Sequence, residues 1–189
     1  MEVFESNKIP DNLQPLTLRL TDWKDYFLDS QCKLMLAKGL NYCIHSNGMR
    51  VVGYLMTNKN LFLILRNKGE VQDLMHLLDE YLKIEIHNQL RLRRMLLGKD
   101  DEEIDFSWNE ELGATFERLP LINQDLIKAL SGIPFEKRYY SAEIERIKDL
   151  TENNNFCSAP HYENKDWIGP VELDIESWEI LIEWLKVEV

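Results

Sequence analysis

The stretch 51–65 constrains the fold most, because it is a run of apolar residues interrupted only by the polar positions 57–60. Its first part is rich in β-branched and aromatic side chains, and its second part, 61–65, is apolar at every position. A strand that is apolar on both faces is normally central in a sheet that is covered on both sides. Asn58 tolerates the left-handed backbone region that tight turns need. The sequence therefore predicts a buried β-hairpin.

Helix and strand patterns surround this hairpin. Residues 16–21 alternate between apolar and polar, which predicts a half-buried strand. A helix is predicted from 29 or 30 to 45, ended by Gly48. A longer helix is predicted over 71–97, and six of its apolar residues share one face that should pack on the sheet: Val71, Leu74, Met75, Leu78, Leu82 and Ile86. One further strand would complete a ferredoxin-like split βαβ antiparallel sheet with helices on one face, an α+β fold.

Charge is distributed unevenly along the 189 residues, whose formal net charge is −11. Residues 1–99 carry a balance of +3, whereas residues 100–189 carry a balance of −14. An acidic surface repels the phosphates of nucleic acids, which are normally bound by a basic face. Only the first half is therefore a candidate for nucleic-acid binding.

Local composition also predicts how the chain is divided into a domain and flanking segments. Residues 151–166 are polar and predict an irregular segment, which follows two short helical patterns, 124–130 and 141–150. The predicted organisation is a loose lead-in over 1–13, a domain over 14–135 with an alternative break near 98–105, and an acidic, mostly helical extension over 136–189.

No apolar run approaches the roughly 20 residues that a membrane helix needs. The N-terminus lacks the basic-then-apolar plan of a signal peptide. Three cysteines, Cys32, Cys43 and Cys157, stand at no ligand-like spacing. Cys32 and Cys43 fall inside the first predicted helix, where core filling is the better interpretation. These observations predict a cytoplasmic protein without membrane contact.

The segment 18–23, the strand containing Gly53 and Tyr54, and the long second helix resemble the HUH single-tyrosine transposases, in particular their REP-associated branch. The resemblance covers 14–92. It implies a ferredoxin-like fold that usually dimerises. It also implies two histidines that bind Mg²⁺ or Mn²⁺ and position a phosphate of single-stranded DNA for attack by a tyrosine, the chemistry of DNA transposition.

The histidine positions of that family do not carry a histidine in this chain. With Tyr54 as the anchor they fall on Asn60 and Phe62, and in the alternative register they fall on Lys59 and Leu61. An asparagine can offer one carbonyl oxygen to a hard cation, but phenylalanine and leucine offer no ligand atom. We therefore predict that the metal site is lost and that no cofactor binds.

The position of the family tyrosine falls on Gly132. Tyr139 and Tyr140 lie just beyond it and are alternatives as the nucleophile, but packing or surface roles are the better interpretation, so no catalytic residue is named.

Two functions stay open for such a pseudoenzyme. One is weak binding of single-stranded or hairpin DNA, with contacts from the cations of the first half: Arg50, Lys59, Arg66, Arg91, Arg93 and Arg94. The other is a protein-interaction or regulatory module, in which the acidic part meets a partner through its tryptophans: Trp108, Trp167, Trp178 and Trp184. A continuous basic groove would favour DNA, whereas scattered or neutralised cations would favour a protein partner. A third alternative is that the family resemblance is accidental.

Overall fold

The computed structural model describes residues 13–66, 71–96, 112–131, 142–152, 154–163 and 169–175. The strands are β1 (Leu13–Leu20), β2 (Arg50–Met56), β3 (Asn60–Arg66) and β4 (Phe116–Pro120). The helices are α1 (Asp29–Asn47), α2 (Val71–Leu96), α3 (Gln124–Leu130), α4 (Ala142–Glu152) and α5 (Ala159–Glu163), and a 3-10 turn, Asp22–Tyr26, follows β1. The α+β class is therefore confirmed.

Some predictions fall on other parts of the chain. The tryptophans Trp108, Trp167, Trp178 and Trp184, the positions Gly132, Tyr139 and Tyr140, and the break near 98–105 lie outside the described residues. Among the helices that are described, none is long and apolar enough to cross a membrane.

The four strands form one antiparallel sheet in the order β2-β3-β1-β4. The predicted hairpin is confirmed, because β2 and β3 are neighbours and Leu63 of β3 lies opposite both Tyr54 and Leu16. At the turn, the Thr57 N–H donates to the Asn60 carbonyl at 2.9 Å, and the Asn60 N–H donates to the Thr57 hydroxyl at 3.0 Å. These bonds close the hairpin with no residue of the turn at positive φ, so the predicted left-handed conformation at Asn58 is wrong.

The first face of the sheet is covered by α1 and α2. The six predicted apolar residues of α2 are its buried residues, and they join the alternate residues Leu61, Leu63 and Leu65 of β3 in one core. α1 ends as predicted at Gly48, whose φ of 65° is the left-handed conformation that a side chain disfavours.

The second face of the sheet is covered by residues from the second half of the chain, 100–189, which we call the acidic half. Val52, Leu55 and Ile64 form a second core with residues of α3, α4 and α5. The C-terminal end of α3 approaches so closely that a Cβ at Gly53 would lie 3.2 Å from the Leu130 carbonyl oxygen. The prediction of helices on one face therefore holds for α1 and α2 and is wrong for the second half of the chain.

The outer edge of β2 is paired with residues 154–158, which we call the edge segment. The Met56 N–H donates to the Phe156 carbonyl at 3.0 Å, and the Ser158 N–H donates to the Tyr54 carbonyl at 2.9 Å. The Tyr54 N–H donates to the Ser158 hydroxyl at 3.0 Å, and the Tyr162 hydroxyl donates to the Val52 carbonyl. Buried backbone groups need such partners, so the predicted irregular stretch 151–166 supplies what the edge strand lacks.

A polar network joins α2 to the start of β4. The Asp79 carboxylate accepts the N–H and the hydroxyl of Thr115, each at 2.7 Å, and pairs with Lys83 at 2.8 Å. The indole N–H of Trp23 donates to the Thr115 carbonyl, also at 2.7 Å. Burial raises the pKa of Asp79, but the hydrogen bonds from Lys83 and Thr115 outweigh it, so the pKa lies below its ordinary value of 3.8.

Replacing Asp79 with asparagine (Asp79→Asn) should destabilise the protein by about 1 kcal/mol at neutral pH, because the charge-assisted bonds weaken. Since the folded-state pKa is lowered, the carboxylate stabilises the fold above its unfolded-state pKa and loses that effect as the pH falls. The difference in free energy of unfolding between the two proteins should therefore narrow below about pH 4 in urea titrations. The exposed Asp149→Asn variant is the control. A difference in free energy of unfolding between the native protein and Asp79→Asn that stays constant between about pH 7 and pH 2.5 would contradict this role of the carboxylate.

Candidate functional site

The two positions that correspond to the transposase histidines lie on the second face of the sheet. Asn60 begins β3, and Phe62 follows two residues later on the same side. In the strand register Asn60 lies opposite Arg19, and Phe62 lies between Thr17 and Leu55. Phe62 packs against the second core.

These residues do not fit a divalent metal ion. Phe62 has no ligand atom, and the side chain opposite Asn60 is the cation Arg19, which forms a salt bridge with Glu117 at 3.3 Å. Within the described ranges, no group of three or more His, Cys, Asp or Glu residues is placed to hold a metal. At these two positions only the side-chain carbonyl oxygen of Asn60 could act as a ligand, so the pair does not reproduce a two-histidine metal site.

Cys32 and Cys43 do not have the environment of a reactive thiol. Cys32, Cys43 and Cys157 are buried, which confirms the predicted core positions of Cys32 and Cys43. Burial, together with the nearby Asp29 carboxylate, raises the pKa of Cys32 to about 11, and burial raises the pKa of Cys43 to about 12. Both are protonated thiols at neutral pH, whereas reactive cysteines depend on the thiolate form.

The predicted nucleic-acid contacts are divided between two ends of the sheet. Arg50 and Arg66 lie opposite each other where β2 begins and β3 ends. Arg50 pairs with Asp174 of the acidic half at 3.6 Å. Nearby, His45 lies 3.1 Å from Glu172, which is also of the acidic half. At this end, Asp174 of the acidic half thus pairs with one of the two predicted contacts, Arg50.

The other cations lie at the opposite end, about 20 Å away along the seven residues of β3. Lys59 is in the hairpin turn, and its carbonyl accepts the N–H of Leu20 at the end of β1. Arg93, near the end of α2, donates to the Tyr26 carbonyl at 3.0 Å, in the 3-10 turn that follows β1. Arg91 and Arg94 flank Arg93. The six cations therefore do not line one continuous groove.

An apolar groove lies beside Arg93, between the beginning of α1 and the end of α2. Tyr26 and Leu28 contribute one wall, Leu92, Met95 and Leu96 contribute the other, and the cavity has a volume of about 950 Å³. Leu96 is 87% exposed and Leu28 is 70% exposed. Arg93 spans the two walls through its bond to the Tyr26 carbonyl. We call these five apolar residues the apolar groove.

Sequence reasoning missed this groove, although one of its two walls, the one on α2, is visible in the sequence. The buried stripe of α2 continues to Leu90, and Leu92 lies about 200° around the helix from that residue. Leu92, Met95 and Leu96 then follow at helical spacing and form a second apolar face. The other wall comes from residues more than sixty positions earlier, so only the fold brings the two walls together.

Comparison with protein-family models, with curated proteins and with solved structures found no match. The resemblance to HUH transposases accordingly stays a prediction, based on the residues quoted for it.

Proposed function

We propose that this protein is a non-catalytic protein-interaction module, and that the apolar groove is its docking site. The observation that carries the proposal is the convergence of five exposed apolar side chains on one groove. Single exposed apolar residues are common, but contiguous apolar patches usually mark interaction sites. Burying a leucine side chain contributes about 1.5–3 kcal/mol, so three leucines and a methionine are enough to anchor a short segment.

The fold provides a rigid support for such a site. The strand order β4-β1-β3-β2, with α1 and α2 as the connections, supports the finer description as a ferredoxin-like sheet. We propose that this sheet is a scaffold of transposase type that has lost its cleavage chemistry. The unsuitable side chains at Asn60, Phe62 and Arg19 support that loss.

Binding of single-stranded or hairpin DNA is the second candidate. It is favoured by the position of Lys59 at the same end of the sheet as Arg91, Arg93 and Arg94. It is disfavoured by the separation of these residues from Arg50 and Arg66 and by the ion pair between Arg50 and Asp174. We rank it below the protein-interaction function for that reason.

Selection of peptides from a displayed random library tests the docking site without a known partner. Peptides enriched on the native protein should bind the Leu96→Glu variant at least tenfold more weakly, because a buried carboxylate would replace an apolar contact. Binding to Ile122→Glu should be unchanged, since Ile122 is 81% exposed and lies outside the groove. Fluorescence anisotropy of the synthesised peptides measures both affinities. Enriched peptides that bind the Leu96→Glu variant as tightly as the native protein would contradict the proposal.

The DNA-binding function is tested by titrating a fluorescent DNA hairpin with a single-stranded arm with the full chain across a salt series. If it is correct, affinity falls with salt, and the Arg91→Glu/Arg94→Glu variant has a salt slope that is smaller by about 1 to 2. The exposed Arg118→Glu variant should keep the native slope. No binding at low salt would eliminate this candidate.

A further inference from the structure

The two walls of the apolar groove differ in charge. Residues 86–96 of α2 contain Arg91, Arg93 and Arg94 and no Asp or Glu. Arg93 lines the groove, and Arg91 lies one helical turn before Met95 on the same side of α2. The opposite wall carries Asp25, which also lines the groove and pairs with Lys24 at 3.4 Å. The α2 wall is therefore cationic, in a chain whose net charge is −11.

We propose that the occupant of this groove is an acidic amphipathic helix of a partner protein, whose acidic side lies against the α2 wall. This inference rests on the proposed docking function and adds the chemistry of the partner. Helix-in-groove recognition uses apolar anchors at positions i, i+3, i+4 and i+7 on one helix face. The groove offers the matching surface, because its apolar residues come from two elements that flank a cleft.

Charge complementarity indicates that the partner helix carries negative charge beside its apolar anchors. At about 0.15 M salt the Debye length is about 8 Å, so a docked helix responds mainly to the charges at the groove, which are Arg91 and Arg93 on the α2 wall and Asp25 on the opposite wall. A basic helix would meet Arg91 and Arg93 directly, and such like-charge contacts reject a wrong partner. Anionic side chains next to the apolar anchors would instead accept hydrogen bonds from the guanidinium groups.

Three synthetic helical peptides of about 16 residues, roughly 24 Å long, test the inference on the full chain. The first has leucines at i, i+3, i+4 and i+7 and glutamates beside them. The second has lysine in place of every glutamate, and the third keeps the composition of the first with a scrambled leucine pattern. At about 0.15 M salt the first peptide should bind at least tenfold more tightly than the other two in fluorescence anisotropy.

Charge-reversed variants test the assignment to the α2 wall. The Arg91→Glu/Arg93→Glu variant should bind the glutamate peptide at least tenfold more weakly and should come to prefer the lysine peptide. Arg118→Glu, an exposed charge reversal on β4, should behave like the native protein. Circular dichroism and thermal unfolding confirm that each variant is folded before its affinity is compared.

The failures of the inference and of the docking function can be distinguished. Equal binding of the glutamate and lysine peptides, lost in both cases with Leu96→Glu, would overturn the acidic partner and leave the docking site in place. Binding that survives Leu96→Glu would overturn both. A benzophenone at position 92 that cross-links, without peptide, to another part of the same chain or to a second copy would assign the groove to that occupant and overturn the inference.

Discussion

The pairing between β2 and the edge segment 154–158 is the interaction on which the rest of the structure depends. An edge strand exposes unpaired N–H and C=O groups, and Val52, Tyr54 and Met56 of β2 are fully buried. The groups that pair with this backbone come from about 100 residues later in the sequence, and they include the backbone of Phe156 and Ser158. The acidic half is therefore bound to the sheet through its backbone as well as through the second core, and residues 1–99 alone would lack β4 and this cover.

Among the described residues, this arrangement decides which surfaces of the sheet and helices stay uncovered. At the end of the sheet that holds Arg50, Asp174 of the acidic half pairs with that arginine. On the second face, side chains of α3, α4 and α5 cover Leu55 and Ile64. The other end keeps an apolar groove beside three arginines. A charge asymmetry that is evident along the sequence thus becomes a spatial one, which supports a protein partner over a nucleic acid.

The parts of the fold that sequence predicts are those set by local chemistry. The hairpin follows from an apolar run interrupted by the polar positions 57–60, and α1 and α2 follow from helical periodicity and from Gly48. The edge segment was not predictable, because Ser158 and Phe156 stand in a polar stretch and pair with residues far away. The groove was missed for the same reason, since Leu28 and Leu96 meet only after β1, α1 and α2 have packed.

Native-state hydrogen exchange tests the central claim, that the acidic half completes the sheet, most directly. The amides of Tyr54 and Met56 should exchange with opening free energies within about 1 kcal/mol of the central β3 amides, because their bonds to Ser158 and Phe156 break only with the fold. Opening free energies near zero for these two amides, beside a protected β3, would mean that β2 is a free edge and would contradict this account.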